Sequence, residues 1–148
     1  MTASPSRPVP QPRLRPHDVA LVAVGGAVGT ALRAGLVLAS PPQGVDDVDV
    51  AVLAINVVGA FVLGGLLEWL LLRGPDHGRR RAGRLLVGTG VLGGFTTYST
   101  LALDTAHLLQ EGRAGMALAY ALGTVLLGAG AALAGIRCGA RAHGRRGA

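Results

Sequence analysis

The apolar positions of this chain do not alternate with polar ones. They run together in four blocks, Val19–Ala39, Val50–Leu72, Leu85–Leu109 and Ala114–Ile136. A bilayer core about 30 Å thick is crossed by roughly 20 mostly apolar helical residues, and each block meets that length. The first three blocks carry one charged residue each (Arg33, Glu68, Asp104), and the fourth has none between Arg113 and Arg137. No proline falls inside a block, so each helix is predicted to run without a proline kink. The pattern predicts an all-α integral membrane protein with a four-helix transmembrane domain over residues 18–137. A disordered basic tail is predicted at 1–17 and a second basic tail at 138–148. The connections Ser40–Asp49, Arg73–Arg84 and Gln110–Arg113 are too short to hold a soluble catalytic domain.

The third block differs from the others. It contains Gly93-Gly94-Phe95-Thr96-Thr97-Tyr98-Ser99-Thr100, two glycines and four Thr or Ser hydroxyls at membrane depth. Gly, Thr and Ser are poor or middling helix formers, and clustered at mid-helix they predict a local break. Unwound backbone is tolerated at that depth only where protein buries it or where it lines a cavity. Its freed carbonyls can coordinate a hard cation such as Na⁺. A plain Ser/Thr/Gly packing seam between helices is the alternative.

Other polar positions fall at similar depth. Asn56 lies in Leu53-Ala54-Ile55-Asn56-Val57-Val58-Gly59, where its amide must find partners, either as glue between helices or as a donor to an anion. Tyr120 and Thr124 are four apart and share a helix face, forming a short track of hydroxyls. Arg33 must snorkel or pair, and Asp104 is one candidate partner. Glu68 and Trp69 suit the membrane interface. Glycines at Gly25, Gly26, Gly29, Gly59, Gly64, Gly65, Gly115, Gly123, Gly128 and Gly130 allow close helix approach in lipid. Small residues on several faces of so small a bundle point to a dimer.

Charge adds an orientation. All 14 basic residues are Arg, and the net charge is +6. With four spans, both termini and the middle loop share one side, which holds twelve of them: Arg7, Arg13, Arg15, Arg73, Arg79, Arg80, Arg81, Arg84, Arg137, Arg141, Arg145 and Arg146. The opposite side has Arg113 and Arg33 against Asp46, Asp47, Asp49 and Glu111. Basic residues are retained in the cytoplasm during insertion, so both termini are expected to be cytoplasmic in a multi-pass plasma-membrane protein. No aromatic-interleaved basic domain supports nucleic-acid binding. The first 17 residues hold five prolines and no apolar core of a signal peptide. A lone Cys138 and scattered histidines give no disulfide, metal-ligand set or nucleophile–base pair, so no enzyme is expected.

At these residues the chain resembles the Fluc/CrcB family of small fluoride channels. The resemblance covers roughly Ala20 to Ile136. It rests on Gly25-Gly26-Ala27-Val28-Gly29-Thr30-Ala31-Leu32-Arg33, on Asn56-Val57-Val58-Gly59-Ala60-Phe61-Val62-Leu63-Gly64, and on the Gly93–Thr100 run, in that order. It implies an antiparallel dimer with narrow anion-selective pores and passive fluoride efflux. It also implies one structural Na⁺ at the dimer centre, held by the backbone carbonyls of Gly93 and Thr96. The fluoride pathway implied for this chain comprises Asn56, Tyr98, Ser99, Leu101, Tyr120 and Thr124, with Arg33. Ring edges carry the positive part of an aromatic quadrupole, and they and neutral donors replace the water of a small, strongly hydrated anion.

Two positions depart from the family pattern. Tyr98 keeps a ring at the first of two family Phe positions, but Leu101 stands at the second, and Val52 stands where the family often has Thr. A non-conducting partner subunit of a heterodimeric channel is therefore the main alternative function. The strong Arg bias further predicts pairing with an oppositely oriented paralogue. A small multidrug transporter would need a membrane carboxylate in the first helix, which has none after Asp18.

Overall fold

The computed structural model describes residues 15–40 and 50–144. Most of the predicted N-terminal tail, the loop over 41–49 and the last four residues lie outside them. Four helical spans are present, and no strand occurs among the described residues. The first span is α1 (Pro16–Ala39) and the second is α2 (Val50–Leu72). The third, Gly78–Gln110, is composite. It opens with α3 (Gly78–Gly83), continues as a π-helical stretch over Arg84–Leu92 and a single turn at Gly93–Phe95, and resumes as α4 (Ser99–Gln110). The fourth span is α5 (Ala114–Gly144).

The ends differ from the predicted ones for local reasons. Pro16 occupies the first turn of α1, where a missing N–H goes unneeded. The third span starts at Gly78 rather than Leu85 because its arginines are tied down. Arg81 Nη2 lies 2.8 Å from Asp18 Oδ2 at the start of α1, and Arg84 Nη2 lies 2.7 Å from Asp76 Oδ2 in the preceding loop. Helix α5 continues through Cys138 and Arg141 to Gly144, so much of the predicted C-terminal tail is helical. There a Cβ on Gly139 would stand 2.6 Å from Gly65 O and 3.2 Å from Glu68 Cβ, so this extension is packed against α2. At the same end the Arg73 guanidinium stacks 3.7 Å from the Trp69 ring centroid, and Trp69 is thus held at the arginine-rich end.

Large apolar side chains face outward along every span, among them Leu38, Leu103, Leu118 and Leu126. In lipid that surface is already solvated, so helices associate by close backbone packing instead. They do so in two parallel pairs. Along α1 and the first arm of the third span, a Cβ on Gly25 would press on Leu86 O and stand 2.9 Å from Gly90 Cα. A Cβ on Gly29 would press on Val91 O and stand 2.8 Å from Phe95 N. Contact positions rise together in the two helices, as they must in spans crossing the same way. The second pair, α2 with α5, interlocks likewise through Gly64 on Ala132 and Gly135 on Phe61 O. The second arm, α4, crosses to the start of α5, where Leu101, Leu108, Ala117 and Tyr120 form the buried cluster. The break therefore lets one span serve both pairs.

Candidate ion pathway at the third-span break

The break falls inside the predicted run, at Thr96, Thr97 and Tyr98. Thr96 ends the first arm. Its N–H and its Oγ1 both donate to Leu92 O, at 3.0 and 2.9 Å, and its ψ of 152° then turns the chain out of helix. Thr97 starts the second arm. Its Oγ1 accepts from Thr100 N at 3.4 Å, as a Thr three residues ahead does when it caps a helix. The same oxygen shares hydrogen bonds with Ser99 Oγ at 3.0 Å and Thr100 Oγ1 at 3.3 Å.

Asn56 on α2 joins the break from the side. Its Oδ1 accepts from Thr97 N–H at 2.8 Å, and its Nδ2 donates to Thr97 O at 2.9 Å. One amide thus satisfies both backbone groups of one residue, and because Thr97 presents a donor and an acceptor, the amide's orientation is fixed. One Nδ2 hydrogen remains. Three residues on, Gly59 leaves space for the break: a Cβ there would run into Thr96 Cγ2 and stand 3.5 Å from Phe95 Cδ1.

These bonds divert the donors that would close a continuous helix. Thr97 N–H goes to Asn56 Oδ1 instead of Gly93 O, and Thr100 N–H turns to Thr97 Oγ1 instead of Thr96 O. The Gly93 and Thr96 carbonyls are thus among those that lose their helical donors at the break, as are the carbonyls of Gly94 and Phe95, whose helical donors would be Tyr98 N–H and Ser99 N–H. The nearby Gly94 O accepts from Thr30 Oγ1 at 3.4 Å, which couples α1 to the same turn.

The hydroxyl track lies against the second arm. The α2–α5 register at Gly64 and Ala132, carried back about two turns, sets Asn56 level with Thr124. Tyr120 and Thr124 are both buried. Tyr120 OH donates to Asp104 Oδ2 at 3.1 Å. Thr124 Oγ1 is buried and makes no hydrogen bond among the described residues. The Arg33–Asp104 pairing considered from sequence does not form within the subunit. Asp104 takes the Tyr120 hydroxyl, and half-buried Arg33 makes no hydrogen bond or ion pair among the described residues.

The ring positions divide. Tyr98 is 80% exposed and its hydroxyl makes no hydrogen bond among the described residues, whereas Leu101 is 7% exposed, packed with Leu108, Ala117 and Tyr120. Ser99 is exposed beside Tyr98. The structure thus brings Asn56, Thr96, Thr97 and Ser99 together, sets Leu101 with Tyr120, and leaves Tyr98 facing outward. Sequence reasoning missed Thr97 as the hub, Gly59 as the space for Thr96, and Asp104 as the Tyr120 partner. The spacing of Asn56 and Gly59, which places both on one helix face, was the available signal for the first two. Nothing in the residue pattern announced the π-helical stretch.

Residues 20–136 match the family described as "CrcB-like protein, Camphor Resistance (CrcB)". The chain is 54% identical over 134 residues to "Fluoride-specific ion channel FluC 2" of Leifsonia xyli subsp. xyli, covering 90% of this chain and 91% of that one. It is 47% identical over 127 residues to "Fluoride-specific ion channel FluC 1" of Cutibacterium acnes, covering 84% and 88% respectively. It is also 46% identical over 123 residues to "Fluoride-specific ion channel FluC" of Deinococcus radiodurans, covering 81% and 93%.

Proposed function

The chain belongs to the CrcB family, and from that premise we propose that it is a subunit of a fluoride channel that lets the ion leave the cytoplasm passively. The observation that carries this reading is the polar seam between α2, the break and α5, set in an otherwise apolar bundle. It offers the remaining Asn56 N–H and the buried Thr124 hydroxyl at one level of the membrane, with Tyr120 one turn away. The Thr124 hydroxyl, buried without a partner among the described residues, is costly in such surroundings, and a dehydrated anion offsets that cost. A channel of this kind needs no catalytic step.

Two subunits make the functional unit. Exposed Tyr98 presents a phenolic hydroxyl at membrane depth, where lipid cannot satisfy it, and a second subunit covers it. The carbonyls of Gly93 and Thr96 fit a hard cation, being oxygen ligands freed from helical donors, and they would hold one structural Na⁺ at the dimer centre. When bound, the ion supplies a fixed positive charge that anchors the two breaks. The Arg bias sets both termini in the cytoplasm and makes an inverted copy of the same chain rare, so the partner is an oppositely oriented paralogue.

The test is fluoride efflux from liposomes holding the assembled channel. Asn56→Asp puts a negative charge in the anion path and should abolish efflux. Efflux at the unmutated rate would mean that this subunit does not line a working pore. That result belongs to the second reading, a non-conducting structural partner, which the ring-less, buried Leu101 favours. Tags on both termini, scored with and without the co-expressed paralogue, test the orientation. Equal labelling on both sides with full efflux from the lone chain would overturn the heterodimer.

A further inference from the structure

From the two hydrogen bonds between one amide and one residue's backbone, we infer that Asn56 is the positioning residue of the third-span break. It holds Thr97 against α2 and thereby keeps the Gly93 carbonyl free of its helical donor, Thr97 N–H. This goes beyond donation to fluoride. The donor for the anion and the carbonyls for the cation are then one mechanical unit, in which disturbing Asn56 disturbs both.

The geometry gives the argument in steps. A continuous helix through this run would send Thr97 N–H to Gly93 O and leave Asn56 with unpaired groups at mid-membrane. In the structure Thr97 N–H is 2.8 Å from Asn56 Oδ1, and Asn56 Nδ2 is 2.9 Å from Thr97 O. The side chain replaces the missing helical partner of Thr97 on the donor side and supplies one on the acceptor side. Gly59, on the same face, leaves the space that Thr96 Cγ2 fills, so a side chain there would force Thr96 to shift. The Thr97 hydroxyl meanwhile closes the second arm onto Thr100. Only Asn, among residues of that length, offers an acceptor and a donor in one plane with no charge. Asp keeps the acceptor but opposes the Thr97 carbonyl with a second oxygen. Leu keeps the approximate bulk and loses both bonds.

The cation part rests on the proposed Na⁺ site, so the experiment reads two quantities on the assembled channel. The first is amide hydrogen exchange across residues 93–100. In the unmutated channel the Thr97 amide should be among the protected ones although it lies outside helix. In Asn56→Leu its exchange should rise by on the order of tenfold or more, the weight of a hydrogen bond or two. In Asn56→Asp protection of Thr97 should largely persist. Tyr120→Phe, which also alters the proposed fluoride path, should leave it unchanged. The second quantity is the Na⁺ concentration giving half-maximal thermal stabilisation. It should rise about tenfold in Asn56→Leu and stay fixed in Tyr120→Phe. Fast exchange at Thr97 in the unmutated channel would overturn the inference even if no variant assembles. Unchanged exchange in an assembled Asn56→Leu channel would do so too. Absence of any Na⁺ effect in the unmutated channel, with the exchange pattern as expected, refutes the cation site and leaves Asn56 as the holder of the break.

Discussion

Replacing Gly29 with alanine tests the packing rule that organises the bundle. An ideal Cβ at this position would overlap Val91 O and stand 2.8 Å from both Phe95 N and Val91 C. Ordinary contact begins near 3.4 Å, so clearing the latter two atoms alone requires a displacement of about 0.6 Å. All three obstacles are backbone, so no rotamer change relieves them and α1 must move off the third span as a body. Overpacking of this kind costs ~1–3 kcal/mol. Gly35, further along the same helix, has nothing within 4 Å of its Cβ position. Alanine in a helix interior gains ~0.5–1 kcal/mol over glycine at either site, so that gain cancels in the comparison. Gly29→Ala should therefore be less stable than Gly35→Ala by about 1–3 kcal/mol, measured by reversible unfolding of the assembled channel in detergent. Since Val91 and Phe95 lead into the break, fluoride efflux should fall for Gly29→Ala as well. Equal stability of the two variants would refute the claim that backbone contact at Gly29 sets the α1 position.

Thr124→Val removes a buried hydroxyl that makes no hydrogen bond among the described residues. It should leave stability unchanged or raise it by up to ~1 kcal/mol while slowing fluoride efflux; a destabilised variant would show that the hydroxyl has a structural partner. Leu101→Phe restores a ring edge but crowds Leu108, Ala117 and Tyr120. Its melting midpoint should fall by the equivalent of ~1–3 kcal/mol as efflux rises, and unchanged efflux would show that a ring edge is not what position 101 lacks. The Arg84 guanidinium hydrogen-bonded to Asp76 holds that carboxyl below its usual 3.8. A lowered carboxylate contributes stability above its ordinary value and loses it as pH falls through the lowered one. Proteolysis within residues 73–77 should thus stay constant from neutral pH to about 4 and rise below that, whereas Asp76→Asn should be cut faster throughout.

The sequence alone determined the number of spans, because bilayer thickness turns a count of apolar residues into a count of crossings. It also located the break within Gly93–Thr100, since helix propensity is a local property and those residues compete poorly for helix wherever they stand. It did not determine how far the helices extend. The early start at Gly78 and the late end at Gly144 depend on Asp18, Asp76, Gly65 and Glu68, which are distant in sequence or set in a loop. The same limit applied at the site. Asn56 announced itself as a polar group needing partners, but whether they were an anion, another helix or the break was a question of register between α2 and the third span. Contacts of Gly59 with the Thr96 side chain and of Gly88 with Leu63 and Leu66 accompany that register, and only the folded bundle shows which glycines face which helix. Tyr120 met Asp104 for the same reason, and Leu101 is buried against α5 while Tyr98, at the start of the same arm, stays exposed. Propensity and hydropathy act residue by residue and survive in the sequence; the pairing of buried polar groups is set by helix rotation and depth, which tertiary packing alone decides.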